Sequence, residues 1–332
     1  MNKQLVCGDI GGTKTILQAA EISNGVVREL FTHRYDNHEF AAFSEILQDF
    51  LHRTRNTSRP FSACFAVAGP IVTQQAQLTN LPWQISSSDI STEFSIPSVK
   101  LINDFEAAAL GIESLSPSDM ATLQTGKSLA QSMRVILGAG TGMGVAWLTW
   151  LEDRYVAIPT EAGHMDFAPT NALQIELLET LLNKFGHVSV ERLLSGSGLT
   201  NIFKFLQMSS ATTSNLAPID LEEDSGATIT TLAFTHQHPI AIKSINLFVE
   251  IYGAYAGNLA LTGLTRGGVY IAGGIASKIL SILKLGGFIQ AFHDKGRFSQ
   301  LMHKFPVYII TNPEVGLLGA RQEAHRLLTS QS

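Results

Sequence analysis

One pattern is laid out twice along this chain, and that repeat narrows the possible folds more than any other feature. An apolar run, LVC, leads into GDIGGTK at residues 8–14 and on into TILQAAEI. At 134–150 the layout returns as RVILGAGTGMGVAWLTW: an apolar run, a glycine turn carrying a threonine, and a second apolar run. Short apolar runs bounded by glycine read as buried strands. The letters of the two copies differ while the layout agrees, which predicts a duplicated α/β architecture. Around the first copy, residues 4–35 read as three short strands, with Asn24–Gly25 as a hairpin turn. Phe40, Phe43, Leu47, Phe50 and Leu51 recur at helical spacing and predict a helix over 39–54. SACFAVAGPI at 62–71 reads as a buried strand, and 98–112 as a strand running into a helix with acids at the junction. Beyond the second copy, helices are predicted at 171–185, 190–208 and about 239–264. A strand, glycine turn and helix start follow at 267–276, then a strand at 306–311 and a helix from about Gly316 to Leu328. The Ser/Thr-rich stretch 207–231, with Glu222, Glu223 and Asp224 together, reads as a surface loop or helix start.

Composition removes several function classes. The 332 residues leave room for two domains and a large core. Net charge is −5 and the basic residues are scattered, so no nucleic-acid footprint is visible. Cys7 and Cys64 both lie inside apolar runs and read as buried thiols. Two cysteines cannot build a disulfide framework or a cysteine-ligated metal centre, and they suit a reducing compartment. The apolar start is too short for a signal peptide. The longest uncharged stretch, Val135 to Leu151, is interrupted by GAGTGMG and does not read as a membrane span. A cytoplasmic protein without nucleic-acid or membrane partners is expected.

Three glycine turns each follow an apolar strand: Gly11-Gly12-Thr13, Gly138 to Gly144, and Gly273-Gly274. Glycine lets backbone N–H groups approach an anion with no Cβ in the way. Each turn alone reads equally as a tight hairpin. None has the GxxxxGK[ST] spacing of a P-loop or a clean GxGxxG before a helix. Together they suit a nucleotide gripped from two sides, its phosphates between the first two turns and its adenosine near the third. Polar residues cluster elsewhere: Asn103 and Asp104 at a strand end, Glu161 and His164 in TEAGHMDF, Glu191 in VSVERLLSGSG. Asp104 also reads as a helix cap, Glu191 as an exposed first-turn acid, and His164 as a surface histidine. As a set they offer the donors and acceptors that a polyhydroxylated ligand needs.

The motifs GDIGGTK, INDFEAAALG, LGAGTGMGV, TEAGHMDFAP, ERLLSGSGL, GGVYIAGGIA and FHDKGRF, in this order from residue 5 to about 320, resemble the bacterial ATP-dependent glucokinase family of the hexokinase/actin-like superfamily. The resemblance implies two RNase H-like (actin-like ATPase) domains with a cleft between them. It places a small domain at 1–103 plus about 317–332 and a large one at 104–316. It implies transfer of the γ-phosphoryl of ATP to the 6-hydroxyl of D-glucose, with Mg2+, in a homodimer. Asp104 would be the general base. Asn103, Asp104, Glu161, His164 and Glu191 would hold sugar hydroxyls, with Asn80 and Gly69 lining the same mouth. Gly8, Asp9, Ile10, Gly11, Gly12, Thr13 and Lys14, with Gly138, Gly140, Thr141 and Gly142, would hold phosphates. Asp9 would sit near Mg2+ through water, and Gly273 and Gly274 under the adenosine. The related repressor/ORF/kinase sugar kinases carry a cysteine-rich zinc motif that this chain lacks, and no helix-turn-helix precedes Met1, so the repressor branch is not expected. Three departures stand out: Lys14 where many relatives have Asn, Glu161-Ala162-Gly163-His164 where they read EGGH, and Ser197 where they often have Pro. None removes a polar group that the chemistry needs.

Overall fold

Both copies of the repeated pattern fold as hairpins inside a sheet. The computed structural model describes residues 3–23, 26–54, 60–78, 81–210 and 217–329. The chain divides into two compact units, one of residues 1–116 with 314–332, the other of 117–313.

In the first unit the sheet order is Val26–Asp36, Lys14–Ser23, Lys3–Ile10, Ser62–Val67, Ser98–Asn103. The first three strands pair antiparallel, each with its neighbour in sequence. The last two run parallel to Lys3–Ile10, because helices intervene. One of those helices, Phe43–Arg53, buries Phe43, Ile46, Leu47 and Phe50 on the face its periodicity predicted. The Asn24–Gly25 turn lies outside the described residues. Cys7 and Cys64 are buried, free and in register on neighbouring strands, and burial pushes the Cys7 thiol up to about 12. They are inert packing groups.

The second unit repeats the order with Arg154–Thr160, Met143–Leu151, Arg134–Ala139, Gly268–Ala272 and Val307–Ile310, and adds Met120–Gln124 antiparallel at the edge. The helix Pro239–Gly263 crosses this core, with Phe248 and Tyr252 buried beside Phe288 and Phe292. Pro239 starts it where a missing N–H costs nothing, and Leu264 ends it in the left-handed region. Among the described residues no helix is long and apolar enough to cross a membrane.

The unit boundary differs from the expected break after residue 103. Helix Asp104–Gly111 belongs to the first unit because it crosses the C-terminal helix, Val315–Thr329, at glycines. A Cβ on Gly319 would overlap the Ala107 carbonyl, and one on Gly111 the Val315 carbonyl. Backbone-to-backbone contact of this kind admits no methyl group, so Gly319→Ala is expected to destabilise the protein by about 2 kcal/mol, read as a lower urea midpoint. An unchanged midpoint would show that the crossing yields. A small sheet of Ile71–Val72, Gln75–Gln77 and Gln84–Ser86 was not anticipated; its strands are too short to show a period. Its tip holds Thr73 and Gln74 at positive φ. The Gln74 amide accepts from Leu101 N–H at 2.9 Å and donates to Leu101 O at 3.3 Å, closing the free edge of the strand that leads to Asn103.

Candidate functional site

In the first unit the site grows from two strand ends. Lys3–Ile10 delivers Asp9 and the turn Gly11-Gly12-Thr13, closed by Gly11 N–H donating to Lys14 O at 2.9 Å. A Cβ on Gly8 would press on the Leu17 and Phe65 side chains. Ser98–Asn103 delivers the second element. Asn103, not Asp104, caps the helix: its Oδ1 accepts from Phe105 N–H at 2.9 Å and Glu106 N–H at 3.4 Å. Its Nδ2 donates to Gly69 O at 3.2 Å. Cap and anchor together fix Asn103 and leave it one amide hydrogen for a ligand. Asp104 is therefore the first helical residue, partly exposed, and its charge reaches Asp9. Burial first and Asp104 second push the Asp9 carboxyl up to about 6. The start of the C-terminal helix closes in from the other side, with Gly316 against the Asp9 carboxylate. The sequence reading did not assign Gly316 to the site.

In the second unit, a series of short contacts gathers four separated segments. The turn after Arg134–Ala139 closes through Gly140 N–H to Gly142 O at 2.8 Å. Met143 N–H donates to Glu191 Oε2 at 2.8 Å, and a Cβ on Gly142 would press on the same oxygen. Gly163 packs on the Met143 carbonyl, where a Cβ would overlap it. That contact explains why TEAGH tolerates Ala162 in its first small position and needs glycine in the second. Val190 N–H donates to Met165 O at 2.8 Å, joining the Glu161 segment to the Glu191 segment. Glu161 and His164 stand exposed, 4.0 Å apart. Gly273 (φ +88°) sits against the Ala139 carbonyl, so the second and third glycine turns are neighbours, and Gly274 faces open space.

Several residues that build this half carry no sequence signal. Tyr252 and Tyr255 lie within an apolar helix and read as core. Yet the Tyr252 hydroxyl accepts from Ala139 N–H at 3.2 Å, and Tyr255 donates to Ala162 O at 2.7 Å. Gly196, which opens the helix Gly196–Ser210, donates its N–H to Gly140 O at 2.9 Å, and Ser195 Oγ accepts from Gly198 N–H at 3.0 Å. Asp224, read as part of a surface stretch, places its carboxylate against Gly196, and so near the second glycine turn. Asn80 lies outside the described residues. Gly69 meets Asn103 through its carbonyl. The structure thus gathers Asp9, the first turn, Asn103, Asp104 and Gly69 in one unit. It gathers the other two turns with Glu161, His164 and Glu191 in the other unit.

Two units with the same strand order, each carrying a glycine turn in its central hairpin, define the class: a duplicated α/β fold of the actin-like ATPase type. The glucokinase family model matches residues 6–327. A glucokinase of Trichormus variabilis is 41% identical, over 97% of this chain and 99% of its own length. Among solved structures, a glucokinase from an Antarctic psychrotroph superposes with a TM-score of 0.87 at 29% identity, covering 98% of this chain and 99% of that one. A ROK family glucokinase from Streptomyces griseus, solved with glucose and AMPPNP, shares the fold at a TM-score of 0.60 and 19% identity, covering 97% of this chain and 99% of that one. The chain belongs to the glucokinase family and is an ATP-dependent kinase of glucose.

Proposed function

We propose that Asp104 is the base of this reaction and that the residues gathered around the glycine turns hold its two substrates. The observation that carries the reading is the pairing of Asp104 with Asp9: the helix start puts one carboxylate beside the acid of the first glycine turn. In the transfer, the glucose O6 attacks the γ-phosphorus, the bond from that phosphorus to the β–γ bridging oxygen breaks, and ADP leaves. The O6 proton passes to an Asp104 carboxylate oxygen. The protein has little covalent work to do beyond positioning and taking this proton.

Glu161, His164 and Glu191, with the remaining Asn103 amide hydrogen, hold the other sugar hydroxyls. Glu191 gives one oxygen to Met143 N–H, which leaves its second oxygen for a sugar hydroxyl. Ile10, Gly11, Gly12 and Thr13 of the first unit, and Gly138, Gly140, Thr141 and Gly142 of the second, present amides and hydroxyls to phosphates. Gly273 and Gly274 lie under the adenosine. Mg2+ fits this donor set. Asp9 and Asp104 are hard oxygen ligands whose charges oppose each other, and a cation relieves that opposition. Among the described residues no group of three His, Cys, Asp or Glu side chains could hold a metal ion. We assign the ion to the nucleotide phosphates, with Asp9 holding it through water. When bound it neutralises phosphate charge.

Lys14 is exposed beside the first turn and adds a positive charge there. Lys14→Asn is expected to raise the KM for ATP by about two- to threefold with kcat unchanged, measured at low salt; an unchanged KM would remove Lys14 from the site. A homodimer in the cytoplasm belongs to the same proposal, resting on family membership, and light scattering tests the assembly. The function itself is tested by a coupled assay with Mg-ATP and a panel of hexoses. Glucose should give the highest kcat/KM. A higher value with another hexose would keep the mechanism and change the substrate. Tight glucose binding without turnover would make the chain a sugar sensor.

A further inference from the structure

Asn37 is fully buried, yet no motif marks it. It follows the strand Val26–Asp36 and lies 26 residues from the first glycine turn. Its Nδ2 donates to Gly11 O at 2.9 Å and its backbone N–H donates to Thr13 O at 2.9 Å. Its Oδ1 accepts from the hydroxyl of Thr15, itself fully buried, at 2.8 Å. One residue thus takes two carbonyls of the turn and is locked by the strand that leaves it.

The consequence is electrostatic. A turn that binds phosphate must face its N–H groups to the ligand and its carbonyls away, since a carbonyl oxygen aimed at a phosphate repels it. Peptide groups are planar, so fixing the Gly11 carbonyl fixes the N–H of Gly12. Fixing the Thr13 carbonyl likewise fixes the N–H of Lys14. Gly11 N–H is already committed to Lys14 O. A two-glycine turn is otherwise free to flip its peptides. We infer that Asn37 is the positioning residue of the nucleotide turn: by holding the Gly11 and Thr13 carbonyls it aims the turn's amides at the phosphates of ATP. The inference rests on the reading of this turn as the phosphate turn.

The test compares ATP, ADP and adenosine on wild type, Asn37→Ala and Asn37→Asp. Both variants lose the donor to Gly11 O, while Asp keeps an acceptor for Thr15. Each should raise the KM for ATP by about tenfold, the worth of one buried hydrogen bond. Each should weaken ADP by a similar factor, with the KM for glucose and the affinity for adenosine moving less than about twofold. Should Asn37→Ala not fold, Thr15→Val removes only the lock on Oδ1 and should raise the ATP KM by about threefold. Unchanged ADP affinity in these variants would overturn the inference, and so would equal losses for ADP and adenosine, which mark a general loosening. Amide NMR of the wild type separates the underlying reading. Gly12 and Lys14 resonances that move with ADP but not adenosine confirm a phosphate turn. Resonances that ignore ADP would place the phosphates elsewhere and overturn that reading itself, along with the inference built on it.

Discussion

Asp104→Ala is expected to lower kcat for glucose phosphorylation by about 10²–10⁴, with glucose still bound within a few-fold of the wild-type affinity. The split follows from geometry. Asp104 is the first residue of its helix and shares the Phe105 N–H with Asn103, at 2.9 Å to each, but Asn103 alone also takes the Glu106 N–H, so removing the Asp104 carboxylate leaves the cap in place. Asn103, Glu161, His164 and Glu191, which are proposed to hold the sugar, are untouched by the substitution. Asp104→Asn sharpens the test, because it keeps the shape and removes the base. It should lose activity as Asp104→Ala does and gain stability near neutral pH, since Asp9 then has no like charge beside it. Glucose titration by calorimetry and coupled-assay kcat read the two effects. Retention of a tenth or more of the wild-type kcat in either variant would remove Asp104 as the base.

Asp9→Asn is expected to stabilise the ligand-free protein by about 3 kcal/mol at pH 7 and to lower activity with Mg-ATP. In the folded chain the Asp9 carboxyl is pushed up to about 6, against an ordinary value of 3.8. Between those values the folded chain holds a proton that the unfolded chain has released. Stability attributable to Asp9 therefore falls as pH rises from about 4 to about 6 and is level above that. Urea midpoints of wild type and Asp9→Asn should converge near pH 4 and separate by pH 7, with the variant higher. Parallel curves over that range would mean that Asp9 is not held against burial and Asp104 as described. The protein keeps a carboxylate that costs it stability, which is the expected sign of a group retained for its ligand.

Much of the architecture could be read locally. The strands around both glycine turns, the helix Phe43–Arg53 and the helix Pro239–Gly263 all follow from apolar spacing, which depends only on neighbours along the chain. The three glycine turns and the acids at strand ends were legible for the same reason. Asn103 and Asp104 show where that reading stops. Both residue types cap helices, and only the register of the strand Ser98–Asn103 against Ser62–Val67 decides which of them does so. The small sheet of residues 71–86 escaped because runs of two and three residues have no period.

Asn37, Tyr252, Gly316 and Gly319 mark the remainder. Nothing in RYDN announces that an amide will meet a glycine carbonyl 26 residues upstream. Nothing in an apolar helix announces that the Tyr252 hydroxyl will receive the Ala139 N–H. Such residues act through partners brought near by packing, and their chemistry becomes specific only when the partner is in place. Periodicity and turn chemistry are properties of a short segment and survive in the letters. The aim of a peptide carbonyl, the raised proton affinity of Asp9 and the need for glycine at a helix crossing are properties of distances between segments, which exist only once the chain has folded.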